Sequence, residues 1–364
     1  MTEQKQMSVA VEYVWLDAWG QIRSKTRILK GSTTQNVPDW TFDGGSTGQA
    51  RSGQSDVTLK PVRLYPCSLR YLNAIAVCEI EYPNGDPHPT NWRHDLAMQY
   101  EKVKALQPQF GVEQEYTLLR RGSKNIIGRE KETDAGIPKH DSVDDVFPIT
   151  GKDDEKAVGN AYCRPENPGL RFASDHMLDC MNAGIEYGGL NAEVTKGQWE
   201  YQIGPSDPVK VADDLIVSRW LLLTEASQQD LEVTFAPKPY AGLNGAGAHT
   251  NVSIQATRIE NRPQRLEALH KLAATLGANH EEAMKDYGEG NEDRMSGEFE
   301  TAKFTEFTYG IGTRDTSVRI PDKPDAVYVE DRRPASGMNP YRVFARICGN
   351  LQALTTPEVA AVVE

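Results

Sequence analysis

Three short stretches carry carboxylates and one histidine at spacings suited to holding divalent cations. They are Gly111-Val112-Glu113-Gln114-Glu115-Tyr116, the run Asn191-Ala192-Glu193 through Gly197-Gln198-Trp199-Glu200, and Asn244-Gly245-Ala246-Gly247-Ala248-His249. In a strand, residues two apart share a face. Glu113 and Glu115 are therefore expected to project together, with Gln114 on the opposite side. Two carboxylates on one face repel unless something positive lies between them, and hard cations prefer oxygen ligands. An isolated Glu-x-Glu more often marks the solvated face of an amphipathic strand, so the other two stretches carry the weight. A lone histidine is more often buried and hydrogen-bonded than a ligand. His249 follows two glycines, which are expected to let a substrate approach the backbone closely. Glu193 and Glu200 are seven residues apart, which would put them on opposite faces of one continuous strand. Gly197 is expected to break the run, so that a turn returns the second carboxylate to the site.

Elements able to position these groups can be read from the hydrophobic pattern. Strands are expected over Phe110–Leu119, Gln198–Ile203 and His249–Ile254. The first ninety residues read as strands and turns. Val9–Asp17 and Ile22–Leu29 flank Ala18-Trp19-Gly20-Gln21 as a hairpin, and Leu72–Tyr82 is a further strand ended by Pro83-Asn84-Gly85-Asp86. Asn91 is an N-cap candidate for a helix running to about Leu106. More helices are expected over Ser174–Tyr187, Val209–Leu231 and Arg265–Tyr287. A domain boundary is expected near Thr90, dividing 1–90 from 91–364. The stretch from Arg120 to Tyr162 is charged, carries Gly and Pro and is weakly periodic, as functional or mobile loops of that length tend to be.

The chain has 364 residues, long for one core, and a net charge of −12. That charge argues against nucleic acid or an anionic membrane as the main partner. It leaves room for ATP, which arrives with Mg²⁺ and can meet a local arginine cluster. No apolar run approaches a membrane span, and Met1–Gln6 lacks the apolar stretch of a signal peptide. The five cysteines are scattered without Cys-x-x-Cys, which suits buried thiols in a reducing, cytoplasmic setting.

Taken together, the motifs resemble those of glutamine synthetase of the type II, eukaryote-like kind. The resemblance covers nearly the whole chain. Its markers include Asp43-Gly44-Gly45-Ser46-Thr47-Gly48-Gln49, Gly111–Leu118, Gly197-Gln198-Trp199-Glu200, Asn244–Asn251, Glu300-Thr301-Ala302, Ser317-Val318-Arg319-Ile320-Pro321 and Glu330-Asp331-Arg332-Arg333-Pro334-Ala335-Ser336. It implies an α+β chain with a small N-terminal β-grasp domain. A larger C-terminal catalytic domain would carry a curved antiparallel sheet and helices. It further implies a ring-shaped homo-oligomer, a decamer, with active sites shared between neighbours. The implied reaction joins ammonia to glutamate, with ATP as co-substrate and two or more Mg²⁺ (or Mn²⁺) ions per site.

By that resemblance one metal site takes Glu115, Glu193 and Glu200, and the other takes Glu113, His249 and Glu330. Arg294 and Arg332 would hold the glutamate carboxylate, together with Asn244, Gly245 and His249. Arg314 would contact the transferring phosphate, while Arg319 and Arg333 would lie on the nucleotide side. Planar guanidinium groups suit a bidentate grip on carboxylate and phosphate. Asp43 and Glu300 would form the ammonium pocket, lined also by Ser46 and Tyr162. Asp43 would reach into the neighbour's site; its local alternative is an Asx turn before two glycines.

The sequence also departs from the family pattern. Gly45 stands where Ser is usual, and Phe299 where His is usual before Glu300. The segments 164–169 and 238–243 differ, and the 120–162 insert is longer. These departures gather on the glutamate and amine sides. A ligase that joins glutamate to a different amine is therefore the second reading, and a catalytically silent ring the third.

Overall fold

The computed structural model describes residues 8–30, 34, 36–51, 53–67, 69, 72–122, 161–162, 165, 167–240 and 242–355. Most of the 120–162 insert, together with Cys163, Arg164, Glu166 and Ala241, lies outside the described residues.

The first sheet has five strands in the order β2-β1-β5-β4-β3. They are β1 (Ser8–Leu16), β2 (Ile22–Lys30), β3 (Trp40–Asp43), β4 (Asp56–Pro66) and β5 (Ala74–Glu81). The expected hairpin forms, with antiparallel register from Ser8↔Lys30 to Leu16↔Ile22. Asp17 closes its turn by accepting from the backbone N–H groups of Trp19 and Gln21, both at 2.9 Å. Strand β1 also pairs parallel to β5. Strands β3 and β4 lie outside the expected elements: β3 is only four residues long, and β4 carries a proline within its run. Pro61 sits at a shift in register, where the ladder bond it cannot donate is not needed.

Both faces of β1 are buried. Val11, Tyr13 and Trp15 meet Phe42, Val57 and Leu59 in a small core, while Ala10, Val14 and Leu16 face the main one. The sheet is therefore packed onto the rest of the chain. Polar contacts reinforce this: Arg63 donates to Asp213 (2.8 Å) and Tyr65 donates to Asp214 (2.6 Å).

The first helix, α1 (Trp92–Val103), starts where expected, with the Asn91 side chain accepting from the His94 N–H. Next come β6 (Gln109–Arg120), α2 (Leu170–Asn182), β7 (Tyr187–Ala192), β8 (Gln198–Ser206), α3 (Pro208–Gln228), β9 (Leu231–Thr234) and β10 (Ala248–Ser253). They are followed by α4 (Arg262–Leu276), α5 (His280–Met284), α6 (Asn291–Arg294), β11 (Tyr309–Ile311), β12 (Val318–Ile320), β13 (Val329–Asp331) and α7 (Pro340–Leu351). Helix α2 lies earlier than expected, because Tyr187 belongs to the following strand. The helix expected over Arg265–Tyr287 is two helices. It breaks at Gly277–Asn279, where Asn279 takes a left-handed φ of 54°. A Cβ at Gly277 would stand 2.3 Å from the Phe307 ring, so the chain needs glycine there.

The second sheet runs β11-β12-β13-β10-β6-β8-β7, with β9 pairing the far end of β6. All its pairings are antiparallel except β11 with β12. Helix α3 is buried along most of its length and packs behind β6 and β8. Cys78, Cys180 and Cys348 are buried thiols and Cys67 is half-buried, none of them in a disulfide. Among the described residues no helix is long and apolar enough to cross a membrane.

Candidate active site

The front of the second sheet is built from cross-strand pairs. His249 on β10 sits opposite Glu113 on β6, and Glu115 sits opposite Glu200 on β8. Alternation along β6 aims Glu113 and Glu115 to this face and sends Gln114 behind it. There Gln114 is fully buried and accepts from Arg219 at 2.6 and 3.0 Å, while donating to the Ser336 carbonyl at 3.1 Å. The turn expected near Gly197 is present. Gly197 has φ 81°, and the Glu193 N–H donates to the Gln198 carbonyl at 2.9 Å. Glu193 is thereby returned to the side of Glu200.

Two triads result. Glu115, Glu193 and Glu200 place one oxygen each within 4.8 Å of one another. Glu113, His249 and Glu330 do the same with two oxygens and a ring nitrogen. His249 links them, its Nδ1 lying 3.4 Å from Glu330 and its Nε2 3.8 Å from Glu115.

The electrostatics fit a divalent cation. Burial, then repulsion from Glu193, pushes Glu115 up to about 8. Burial, then the neighbouring Glu113, Glu193 and Glu115, pushes Glu200 up to about 10. Glu193 is raised mainly by burial. A cation among the three would reverse the repulsion and replace lost hydration. Burial, then the Arg332 charge, holds His249 well below its ordinary value, so its imidazole stays neutral as a metal ligand must be. The donors are five oxygens and one nitrogen, a hard set suited to Mg²⁺ or Mn²⁺.

Several supporting groups were not singled out from the sequence. Gln198 donates to Glu115 (3.0 Å) and to the Gly245 carbonyl (2.9 Å) from one amide. Asn251 donates to Glu113 at 2.9 Å. Each lies two residues from an expected ligand on its strand, so alternation alone would have flagged both. Arg219, a buried cation on α3 that donates to Gln114 and to the Met338 and Ser336 carbonyls, carried no such signal.

The glycines of the 244–249 loop stand tightly against the protein's own groups. A Cβ on Gly247 would stand 2.6 Å from His249 Nε2 and 2.8 Å from Arg294 Nη1. A Cβ on Gly245 would stand 2.4 Å from the Pro237 carbonyl oxygen and 2.5 Å from Arg294 Cγ. They make room for the protein's own side chains. Arg294 is buried, with Nε on Asn291 (2.8 Å) and Nη2 on the Arg332 and Arg333 carbonyls (2.9 and 2.7 Å).

Comparison with known proteins gives the chain's family. Residues 93–276 match the family model described as glutamine synthetase, catalytic domain. A glutamine synthetase of Emericella nidulans is 40% identical over 357 residues, covering 94% of each chain. The chain belongs to the glutamine synthetase family. Glutamine synthetase of Streptomyces viridochromogenes is 38% identical, covering 93% of this chain and 95% of its own. The cytosolic isozyme 2 of Vitis vinifera is 37% identical, covering 93% and 92%.

The remaining residues that the family pattern singles out fall into three groups. Arg332 and Arg319 share the front face with Glu330, donating to it at 2.6 and 3.0 Å. Arg332 also donates to the carbonyls of Arg314 and Glu300, both at 3.1 Å, and Arg314 lies 3.7 Å from the Glu300 carboxylate. Arg333 points behind the sheet. It is fully buried, grips Asp331 with two bonds of 2.8 and 2.7 Å, and packs on Tyr287 and Phe307. Its side chain is fully enclosed by these groups. The third group sits apart. Asp43 accepts from the Gly45 N–H (3.0 Å) and the Ser46 hydroxyl (2.6 Å), which hold its carboxyl below the usual range, the Ser46 bond contributing most. Within one chain the Asx-turn alternative is thus what Asp43 does. Tyr162 is tied by its N–H to the Ala192 carbonyl (2.8 Å) beside Glu193, with its ring exposed. Of the departing segment 164–169, Pro168 accepts from Trp199 at 2.9 Å.

Proposed function

We propose that this protein is a glutamine synthetase. It ligates ammonia to L-glutamate, with ATP converted to ADP and phosphate through a γ-glutamyl phosphate. The carrying observation is the pair of acid-rich triads on one sheet face, joined by His249 and ringed by Arg294, Arg314, Arg319 and Arg332.

A carboxylate is inert to amines until it carries a leaving group, and transfer of a phosphoryl group needs positioning and charge neutralisation more than covalent help from the protein. Glu115, Glu193 and Glu200 would hold one Mg²⁺ or Mn²⁺, and Glu113, His249 and Glu330 the other. When bound, these ions neutralise the phosphate oxygens. Arg294 and Arg332, with Asn244 and Gly245, would take the glutamate. The half-exposed Arg314 guanidinium would meet the transferring phosphate, and Arg319, paired with Glu330, would lie on the nucleotide side. Glu300, beside Arg314, would shield the acyl phosphate from water.

The five-stranded sheet is read as a β-grasp unit over 1–90, with 91–364 as the catalytic domain. Asp43 and Ser46 would complete the ammonium pocket of a neighbouring subunit, which requires a ring, read as a decamer. Asp43 would accept the proton as ammonium becomes the attacking ammonia. Tyr162 would lie at the rim of that pocket. A cytoplasmic setting accords with this activity.

The test measures phosphate and amide product together, with ATP, Mg²⁺ and glutamate, across ammonium and a panel of larger amines. Equal phosphate and glutamine with ammonium, and the highest kcat/KM for it, are expected. A larger amine winning would replace this function with that of the amine ligase.

A further inference from the structure

Glu300 sits in a strained turn. Ser296 and Lys303 bridge to form a short flap, and at its tip Phe299 and Glu300 both take left-handed φ values, 52° and 61°. Two consecutive non-glycine residues in that region persist only where surroundings hold them. Three holders belong to the cleft: Arg332 donates to the Glu300 carbonyl (3.1 Å), the Thr301 hydroxyl donates to the Arg294 carbonyl (3.1 Å), and Arg314 lies 3.7 Å from the Glu300 carboxylate.

The fourth holder comes from outside it. Lys238 Nζ stands 4.0 Å from the centroid of the Phe299 ring. The same ammonium donates to the Leu243 carbonyl at 2.6 Å, and the adjacent Pro237 carbonyl accepts from the Ala246 N–H at 2.9 Å. One side chain therefore ties the flap to the loop that runs into Gly245 and Gly247. Phe299, and the 238–243 stretch that Lys238 opens, are two of the places read above as departing from the family pattern. Those departures are far apart in sequence and meet in the fold.

We propose that Lys238 is a positioning residue: its ammonium, anchored on Leu243, seats the Phe299 ring so that the Glu300 flap and the 243–247 loop close as one body. The proposal rests on the glutamine-forming reading for its chemical consequence. An acyl phosphate partitions between ammonia and water, and an ill-seated flap admits water. A half-buried cation–π contact shifts an equilibrium by roughly 2- to 30-fold.

Lys238→Met keeps the stem and removes the charge, and Lys238→Arg keeps the cation. Two readouts are taken on full-length protein of unchanged oligomer size. Hydrogen–deuterium exchange over 296–303 should quicken by roughly 2- to 30-fold in Lys238→Met and stay near wild type in Lys238→Arg. The ratio of phosphate to glutamine should rise in Lys238→Met and in Phe299→Leu, with the double variant no worse than either single one. Unchanged exchange in Lys238→Met overturns the proposal whatever the activity. Faster exchange with an unchanged product ratio overturns its link to partitioning. A wild-type protein that makes no glutamine, yet shows the exchange change, overturns the functional reading and leaves the latch in place.

Discussion

Glu200→Gln should make the protein more stable without divalent cations and less stable with them. Glu200 is 7% exposed and faces three other carboxylates, which with burial raise it from its ordinary 4.5 to about 10. A carboxyl whose folded value exceeds its unfolded value binds its proton more tightly when folded. Its stabilising share is therefore complete at low pH and drains away as pH rises through the folded value. The window opens near 4.5 and extends to about 8 for Glu115 and about 10 for Glu200. At about pH 7.5 the cost of the shift is bounded by about 4 kcal/mol, three units at 1.36 each. The three carboxyls titrate as a coupled set, so this bound belongs to the set and not to Glu200 alone. Glutamine removes the charge and can still bond Gln202, which donates to Glu200 at 3.1 Å. In chelator the variant should melt roughly 1–4 °C above wild type, with a shallower loss of stability between about pH 5 and 8. A cation at a hundred times its Kd stabilises wild type by about 2.7 kcal/mol. The variant should lose most of that gain, and its activity with it. Thermal melts in chelator and in MgCl₂ at two pH values measure both effects. A variant that melts below wild type in chelator, or gains as much from magnesium, would refute the assignment of this triad to a cation.

Gly247→Ala should cut kcat/KM for glutamate by roughly 10²-fold, because a Cβ 2.6 Å from His249 and 2.8 Å from Arg294 must displace both; steady-state kinetics decide, and near-normal values would show that the loop yields freely. Arg333→Met should lower stability by about 3–5 kcal/mol, since it leaves buried Asp331 without its paired grip. If instead the melt is unchanged and KM for ATP rises, Arg333 lies on the nucleotide side, as the resemblance implies. Asp43→Ala and Glu193→Ala proteins, each inactive, should regain part of the activity when exchanged into mixed oligomers. No recovery in verified mixtures would place Asp43 outside its neighbour's site.

Much of the site is legible in the sequence because it depends on strand alternation and local caps. Glu113 and Glu115 share a face by their spacing, the Gly197 turn follows from glycine's freedom, and Asn91 caps α1 from its own first turn. The same rule separates Arg332 from Arg333: along 330–333 even positions face the cleft and odd ones the core, as Glu330 and Asp331 show. What could not be read is register between distant strands. His249 meets Glu113 and Glu115 meets Glu200 because β6 lies between β10 and β8, and a one-residue slip would send either partner behind the sheet. The break at Gly277 depends on Phe307, which arrives from another part of the chain. Lys238 and Phe299 have no meaning as a pair until the fold sets one over the other. Local chemistry is written in residue type and spacing, whereas which groups face one another is decided by packing between segments that the sequence does not bring near.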